Sequence, residues 1–480
     1  MRLQYLKYIN RYSNGNPSII KLTIPKIILS IVKKIKLKGG ESYLVGGSVI
    51  DILCGDKPKD WDIEVYNISY QKLTELLSSY GSPDLIGNKF GVVKLKLEDI
   101  DMEFSIPRRE SRTGLKHQDF DIELIPELSV EEAAIRRDFT INAIYLDLTT
   151  GIIKDPFYGL YDLRFGKLQH ISSKTFKDDP LRVFRGIQII GRKVSESTTE
   201  LNQLVSEMLY KCELKDVPRE AIFQELNKLF LKANSFKSAA IYLEKTNLLE
   251  YFPELLALVD CPQKEEHHKE GCVWTHTKMV VEQAFKYRDE LPEEWKLPFM
   301  WGMLLHDIGK PETLDLEKLS TYGHDLIGAK KAKNFMLRFT NSEDFIKKVC
   351  LIIRAHMRGR DLVKNNCKMK SWRKLQNVCR LDVLAYVSMC DSDGRLVKPE
   401  GKEGAFKGIM EKWHELGCPK GKIPSTLMGR HLIEHGLKPG PEFGAILEAA
   451  YNYEMKTGCK DIEQLYKNGI GIVKKKAKTK

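Results

Sequence analysis

No segment of this 480-residue chain reaches the roughly 20 consecutive apolar residues that span a bilayer, which excludes a helical membrane protein. Its ten cysteines are scattered with no CxxC pair, and no apolar N-terminal core leads into a small-residue cleavage site. These absences count against a zinc ribbon, a disulfide framework and secretion, and the expectation is reduced thiols in a cytoplasmic protein. Acidic residues are missing before Glu41, and internal repeats are missing throughout. What the chain does have is positive charge: 77 Lys+Arg against 65 Asp+Glu leave a net of +12. Such a surplus favours an anionic partner, RNA or DNA, because neutralised phosphates release counterions. The closing run Lys474-Lys475-Lys476-Ala477-Lys478-Thr479-Lys480 is either a solvated tail or a nucleic-acid contact. With 42% hydrophobic and 30% charged residues the composition is globular, and the length allows about three domains.

Along the chain, Pro25 to about Lys38 has apolar residues at helical spacing, with Gly39-Gly40 as a stop. Residues 43 to about 150 then carry short β-rich runs at Ser42–Val45, Asp62–Val65, Val92–Leu97, Met102–Ile106 and Ala143–Asp147. From about Phe176 amphipathic helical segments dominate, broken at Asp260–Glu270, Gly394–Gly404 and Gly417–Pro424. The fold class is therefore α+β: a small mixed α/β head followed by an elongated all-helical body.

The head carries the first chemical signal. Tyr43-Leu44-Val45-Gly46-Gly47-Ser48-Val49-Ile50-Asp51 runs from a strand through two glycines into a helix, a turn that brings backbone N–H groups and a helix N-terminus to a phosphate. Lys59-Asp60-Trp61-Asp62-Ile63-Glu64-Val65 follows as a strand, where Asp60 and Asp62 point to one face. Two like charges so close are unfavourable without a cation between them. Asp101 and Glu103 share a face on a later strand, followed by Arg108. Two aspartates and a third acid can hold two Mg²⁺ ions for phosphoryl chemistry.

These segments resemble the nucleotidyltransferase class that contains bacterial CCA-adding tRNA nucleotidyltransferases and bacterial poly(A) polymerases. The likeness continues in order. Arg136-Arg137-Asp138-Phe139-Thr140-Ile141-Asn142-Ala143 resembles the ribose-recognition segment, and Asp155-Pro156-Phe157-Tyr158-Gly159-Leu160-Tyr161-Asp162-Leu163 resembles the hinge between head and neck. Asp178-Asp179-Pro180-Leu181-Arg182-Val183-Phe184-Arg185 resembles the nucleobase-selecting helix. Asp179 and Arg182, three apart, are expected on one helical face. There a carboxylate accepts from an exocyclic amine and a guanidinium donates to a ring acceptor, which admits CTP and ATP. By the same resemblance Glu103 rather than Asp101 is the third catalytic acid, Arg108 and Arg185 are triphosphate ligands, and Asp138 and Asn142 contact ribose or organise the base pocket. Arg109-Glu110-Ser111-Arg112-Thr113-Gly114 falls in the loop tied to switching from CTP to ATP. One departure stands out: the family's arginine before the aspartate of the glycine motif is Ile50 here, so that cationic contact is lost.

The body carries a second signal. His276, then His306-Asp307, His324, His356 and Asp391 lie on separate predicted helices, a donor set suited to a divalent metal. Their order resembles the HD phosphohydrolase domain, which implies hydrolysis of 2′,3′-cyclic phosphates or phosphomonoesters with Ni²⁺, Mn²⁺ or Mg²⁺. Gly429-Arg430-His431-Leu432-Ile433 through Leu437–Gly444 resembles the end of the longer CCA-adding enzymes, so the likeness spans roughly residues 40 to 466.

The resulting expectation is a basic N-terminal extension (1–40), a nucleotidyltransferase head (41–165), a helical neck (166–258), an HD domain (259–400) and a helical C-terminal region (401–480). The function expected is template-independent CCA addition to tRNA from CTP and ATP, with no membrane association and no expectation of oligomeric state. Three rivals remain: a poly(A) polymerase or partial CC- or A-adding enzyme, an HD phosphohydrolase with a degenerate head, and a tRNA-binding protein without catalysis, against which the intact carboxylates count.

Overall fold

The computed structural model describes residues 2–8, 18–85, 90–112, 120–397 and 402–478, in two units, Met1–Tyr251 and Phe252–Lys480. The first unit opens with β1 (Arg2–Tyr8) and β2 (Ser18–Ile24), an antiparallel pair that the sequence reading did not anticipate. Helix α1 (Lys26–Leu37) follows, and its buried Ile28, Ile31, Val32 and Ile35 recur at the spacing of one helical stripe. That stripe shares a core with Leu44, Val49, Ile63 and Phe104 of the head. The expected extension therefore contributes a layer of the head, and a boundary at residue 40 would cut through its hydrophobic core.

The head continues with β3 (Glu41–Leu44), α2 (Gly46–Leu53), β4 (Asp60–Tyr66), α3 (Tyr70–Ser78), β5 (Val92–Leu97) and β6 (Ile100–Ser105). Next come β7 (Arg108–Arg112), β8 (Phe120–Leu124), α4 (Val130–Ala134), β9 (Tyr145–Asp147) and β10 (Ile153–Lys154). Six strands form one sheet in the order β10-β9-β3-β4-β6-β5, in which β4 and β6 are parallel and the other pairs antiparallel. Alternation in β4 turns Trp61, Ile63 and Val65 into the core, which leaves Asp60 and Asp62 on the other face. Strands β7 and β8 make a separate antiparallel pair, and residues 113–119 of the expected switching loop lie outside the described residues.

After α5 (Gly159–Arg164), the expected neck holds β11 (Lys167–Leu168), α6 (Ser173–Asp178), α7 (Leu181–Arg192), β12 (Glu196–Ser197), α8 (Thr199–Tyr210), α9 (Arg219–Lys232) and α10 (Lys237–Lys245). Gly159 is sterically required: a Cβ there would stand 2.2 Å from the Thr140 carbonyl oxygen, so the hinge segment packs directly on the ribose segment's backbone.

Among its described residues the second unit is built of helices joined by loops, with isolated β-bridges at Pro262–Cys272 and Asp315–Ser320. It runs α11 (Pro253–Leu256), α12 (Val273–Tyr287), α13 (Glu293–Leu305), α14 (Lys310–Thr313), α15 (His324–Leu337), α16 (Glu343–Ala355) and α17 (Arg358–Lys364). It ends with α18 (Met369–Val378), α19 (Leu381–Asp393), α20 (Lys402–Glu415), α21 (Gly429–Glu434), α22 (Glu442–Thr457) and α23 (Ile462–Lys478). Trp301, Phe299 and Trp372 are among its fully buried side chains, while α21 to α23 close over a separate cluster of Leu427, Leu432, Ile446, Ala450 and Leu465. The α+β class, a mixed-sheet head followed by a helical body, is as the sequence indicates. Among the described residues no helix is long and apolar enough to cross a membrane.

Because Ile31 is completely buried, Ile31→Ala is expected to cost about 2–5 kcal/mol in chemical denaturation. The exposed Leu37→Ala in the same helix is expected to stay within about 0.5 kcal/mol of wild type. Equal, negligible effects at both positions would mean that α1 does not belong to the head.

Candidate active site and candidate metal centre

The glycine turn is built where β3 gives way to α2. Gly46 adopts φ +62°, a left-handed backbone that a residue with a Cβ enters only with strain. A Cβ on Gly46 would meet Asp62 Oδ2 at 3.6 Å and an Arg137 guanidinium nitrogen at 3.9 Å. The turn thus lies directly against one catalytic candidate and one cation. Ser48 fastens it to β4: its hydroxyl donates to the Asp60 carbonyl and accepts from the Asp62 N–H, both at 3.0 Å.

The parallel register sets Asp60 opposite Asp101 and Asp62 opposite Glu103, and the antiparallel register sets Lys96 opposite Asp101 and Lys94 opposite Glu103. Directly opposed residues share a face, so two rows of carboxylate, carboxylate and lysine cross three strands. They line one cavity of about 510 Å³ together with Ser82 and Asp84. Lys94 reaches Glu103 at 3.2 Å and Lys96 reaches Asp101 at 3.2 Å. Burial pushes the Asp62 carboxyl up to about 6, and the neighbouring Glu103 charge adds to the effect. Asp60 is exposed.

The three acids share a face, yet they are not drawn together as tightly as the histidine cluster described below. Among the described residues no group of three donors within 4.8 Å includes them. A carboxylate that burial makes reluctant to ionise, with another directly opposite, fits a site completed by divalent cations.

A buried triad missed by the sequence reading holds this region. Glu64, fully buried on β4, accepts from Arg136 at 2.7 Å and from Arg137 at 3.1 Å. Burial raises the Glu64 carboxyl, but the Arg137 and Arg136 charges and their hydrogen bonds outweigh it and hold the pKa below its ordinary value. Arg137 also donates to the Tyr145 hydroxyl and the Asn142 carbonyl. It therefore places a cation beside the glycine turn, in a head where Ile50, 3% exposed in α2, is part of the apolar interior. The Arg136-Arg137 doublet was the available signal; its buried partner came from tertiary structure.

The nucleobase candidates converge with one correction. Asp179 is not on the helix of Arg182: it caps the C-terminus of α6, and Pro180 separates it from α7. The pair still meets, with Asp179 Oδ2 at 3.8 Å from Arg182 Nε, because Asp179 also accepts from the Leu181 N–H at the start of α7. Arg182 is 7% exposed and donates to the Thr175 and Arg136 carbonyls, which fixes its plane. Asp138 accepts from Asn142 at 2.7 Å and from Arg185 at 2.9 Å, so these three candidates form one network. Arg108 donates to the Phe90 carbonyl at 2.7 Å and lies over the Phe90 ring.

In the second unit, all six metal candidates meet. Asp307 bridges them: one carboxylate oxygen lies 3.2 Å from His306 Nε2 and 4.0 Å from His276 Nε2, the other 3.3 Å from His324 and 3.9 Å from His356. Asp391 lies 3.0 Å from His276 Nε2. His306, His324 and His356 each place Nδ1 within 2.6–2.8 Å of the carbonyl three residues earlier. A proton held on Nδ1 leaves the Nε2 lone pair facing Asp307. His306 Nε2 is buried without a hydrogen bond among the described residues, and burial pushes His356 down to about 4, which keeps it neutral. Imidazoles aimed at one shared carboxylate fit a divalent first-row metal, and the residues group as His276–His306–Asp307 and Asp307–His324–His356.

Five further side chains belong to this centre. Glu270 lies 3.0 Å from His276 Nδ1 and 2.7 Å from His268 Nδ1, Lys310 reaches Asp307 at 2.7 Å, and Arg360 and Arg395 reach Asp391 at 3.2 and 3.4 Å. Lys310 and Arg395 follow their carboxylates by three and four residues on the chain, and that short spacing was the available signal. Glu270 comes from the loop just before α12, and Arg360 arrives from a distant segment without a local signal.

A model of the poly A polymerase head domain matches residues 42–169, and a model of the HD domain matches residues 273–389. A multifunctional CCA protein of Actinobacillus pleuropneumoniae serotype 5b is 32% identical over 368 residues, covering 74% of this chain and 85% of that protein. One from Neisseria meningitidis serogroup C is 29% identical over 405 residues, covering 82% and 93%. The fold is similar to that of a Bacillus stearothermophilus CCA-adding enzyme in complex with CTP, with a TM-score of 0.61, 17% identity, and 95% and 100% coverage. It is also similar to a Thermotoga maritima CCA-adding enzyme complexed with tRNA, with a TM-score of 0.56, 18% identity, and 94% and 96% coverage.

Glu64 supplies a pH test. Its folded pKa is held below the ordinary 4.5, so its contribution is complete above that value and is lost as pH falls through the depressed one. Glu64→Gln leaves two arginines without their buried counter-charge and is expected to cost about 3–5 kcal/mol at neutral pH. In urea titrations the gap to wild type should narrow as pH is lowered below about 4.5. A gap that is constant with pH would contradict the assignment.

Proposed function

The chain belongs to the multifunctional CCA protein family, and on that premise we propose that it builds or repairs the 3′-terminal CCA of tRNA from CTP and ATP. The observation that carries this reading is the Asp62–Glu103 register beside the Gly46 turn. The backbone of Gly46 and Gly47 and the N-terminus of α2 cradle the triphosphate, with Arg137, Arg108 and Arg185 as the nearby cations. Asp60, Asp62 and Glu103 are the residues that would hold Mg²⁺. When bound, such ions stabilise charge on the attacking 3′-oxygen and the departing pyrophosphate. The tRNA 3′-hydroxyl attacks the α-phosphorus, the bond to the bridging oxygen breaks, and pyrophosphate leaves in line.

Base choice falls to Asp179 and Arg182. Cytosine and adenine both offer an exocyclic amine beside a ring acceptor, whereas uracil and guanine do not present that edge. The carbonyls that hold the Arg182 plane make it a fixed donor rather than a flexible one, which supports discrimination by geometry. The Asp138–Asn142–Arg185 network stands behind it as the ribose-side wall. The neck and the basic helical region beyond it suit contact with an acceptor arm through phosphates and shape, in a cytoplasmic enzyme.

The second centre is read as an HD phosphohydrolase acting on 2′,3′-cyclic phosphates or phosphomonoesters. His276, His306, Asp307, His324, His356 and Asp391 would hold Ni²⁺, Mn²⁺ or Mg²⁺, which when bound activates a water for attack on phosphorus. Its tighter assembly, compared with the head carboxylates, favours an active centre over a relic.

Incubation with tRNA lacking its end is expected to give C addition with CTP alone and a completed CCA with CTP and ATP together. Asp62→Ala should lower incorporation by about three orders of magnitude or more. A long A tail, or failure to use CTP, would show a poly(A) polymerase or partial enzyme instead. Phosphohydrolase activity should disappear in Asp307→Ala; if it proves to be the sole activity of the wild type, the head is degenerate.

A further inference from the structure

Arg360 and Arg395 remain unexplained by metal binding. Both guanidiniums converge on the single carboxylate of Asp391, which already faces His276. Around the whole centre three carboxylates, Asp307, Asp391 and Glu270, are matched by three cations, Lys310, Arg360 and Arg395. These carboxylates are thus matched one for one before any ion enters, although carboxylate-rich metal sites ordinarily keep a negative charge for the ion. A divalent cation held by Asp391 and Asp307 draws on the same oxygens that now satisfy the arginines. The set then carries a surplus of positive charge, which an anion must balance.

Exposure grades outward in the order such an anion requires. His276 and Glu270 are fully buried at the side chain, Asp307 is 2% exposed and Asp391 6%, while Arg395 is 14% and Arg360 28% exposed. The two arginines therefore stand between solvent and the buried donors. The Nε of Arg395 is buried and has no hydrogen-bond partner among the described residues, so a donor in its fork is left for an acceptor. Guanidinium forks match the paired oxygens of a phosphate, and two of them against one carboxylate leave donors to spare.

We propose that Arg360 and Arg395 form a phosphate clamp at the mouth of this centre, the subsite that holds the phosphoryl oxygens of a terminal phosphate ester. The proposal deepens the phosphohydrolase reading and rests on it for the ester, while the clamp itself is defined by anion binding. Arg360 and Arg395 bind substrate; they hold no metal. Lys310, buried, pairs with Asp307 deeper in the centre.

The test uses the full chain with metal bound and inorganic phosphate as probe. Phosphate is expected to raise the melting temperature of the wild type more than chloride at equal ionic strength. Arg395→Gln and Arg360→Gln should each need at least about tenfold more phosphate for the same rise. Arg395→Lys keeps the charge without the fork; it should fall between wild type and Arg395→Gln, and it serves where the glutamine variant does not fold. With a phosphomonoester the same variants should raise KM more than they lower kcat. A lowered kcat with KM and the phosphate response unmoved would make the arginines structural counter-ions of Asp391 and overturn the clamp. A phosphate response identical in wild type and variants would overturn it too. A wild type that binds phosphate through these arginines yet hydrolyses no ester would remove the phosphohydrolase reading and leave the clamp standing.

Discussion

The constraint on which the head depends is electrostatic: parallel pairing of β4 with β6 forces carboxylates of two strands onto one face. A sheet built for stability alone would place opposite charges there, since like charges directly opposed are destabilising. This one does so one strand later, where Lys94 and Lys96 on β5 neutralise Glu103 and Asp101. Asp62 instead faces Glu103, and burial together with that neighbouring charge raises its pKa. The like charges are concentrated beside the glycine turn, where the proposed triphosphate and its cations would relieve them. Glu64 one step along β4 is the structural complement, fully buried and doubly paired, and it anchors the ribose segment to the acidic strand.

The second unit solves a related problem differently. Its carboxylates are matched by imidazoles whose outer nitrogens are spent on backbone carbonyls one turn back, so orientation is fixed by helix ends rather than by sheet register. His306 and His356 both cap the C-termini of their helices, and His324 begins one. Gly309 permits this convergence: a Cβ there would stand 2.3 Å from the His324 carbonyl oxygen, so the segment after His306-Asp307 packs against the start of α15 without a side chain between them.

Much of this was legible in the sequence because the deciding features are local. Period-two alternation located β4 and β6, the glycine pair located the turn, and adjacent His306-Asp307 located the histidine–aspartate cluster. Tertiary placement was not legible. The stripe of α1 reads equally as a free amphipathic helix until the head core is seen to cover it. Asp179 and Arg182 suit a helical i,i+3 pair until Pro180 is seen to start a new helix between them. Glu64 reads as one more strand-edge acid, since nothing local announces two arginines more than 70 residues away. Arg360 likewise reaches Asp391 from a different helix.

We propose that Glu103, directly opposite the half-buried Asp62, completes the cation site, whereas Asp101 stands opposite the exposed Asp60. Calorimetric titration of CTP into the full chain, with and without Mg²⁺, tests this most directly. The wild type and Asp101→Asn should bind CTP more tightly with Mg²⁺, and Glu103→Gln should lose that gain. Equal Mg²⁺ dependence in Glu103→Gln and wild type, or its loss in Asp101→Asn alone, would contradict the assignment.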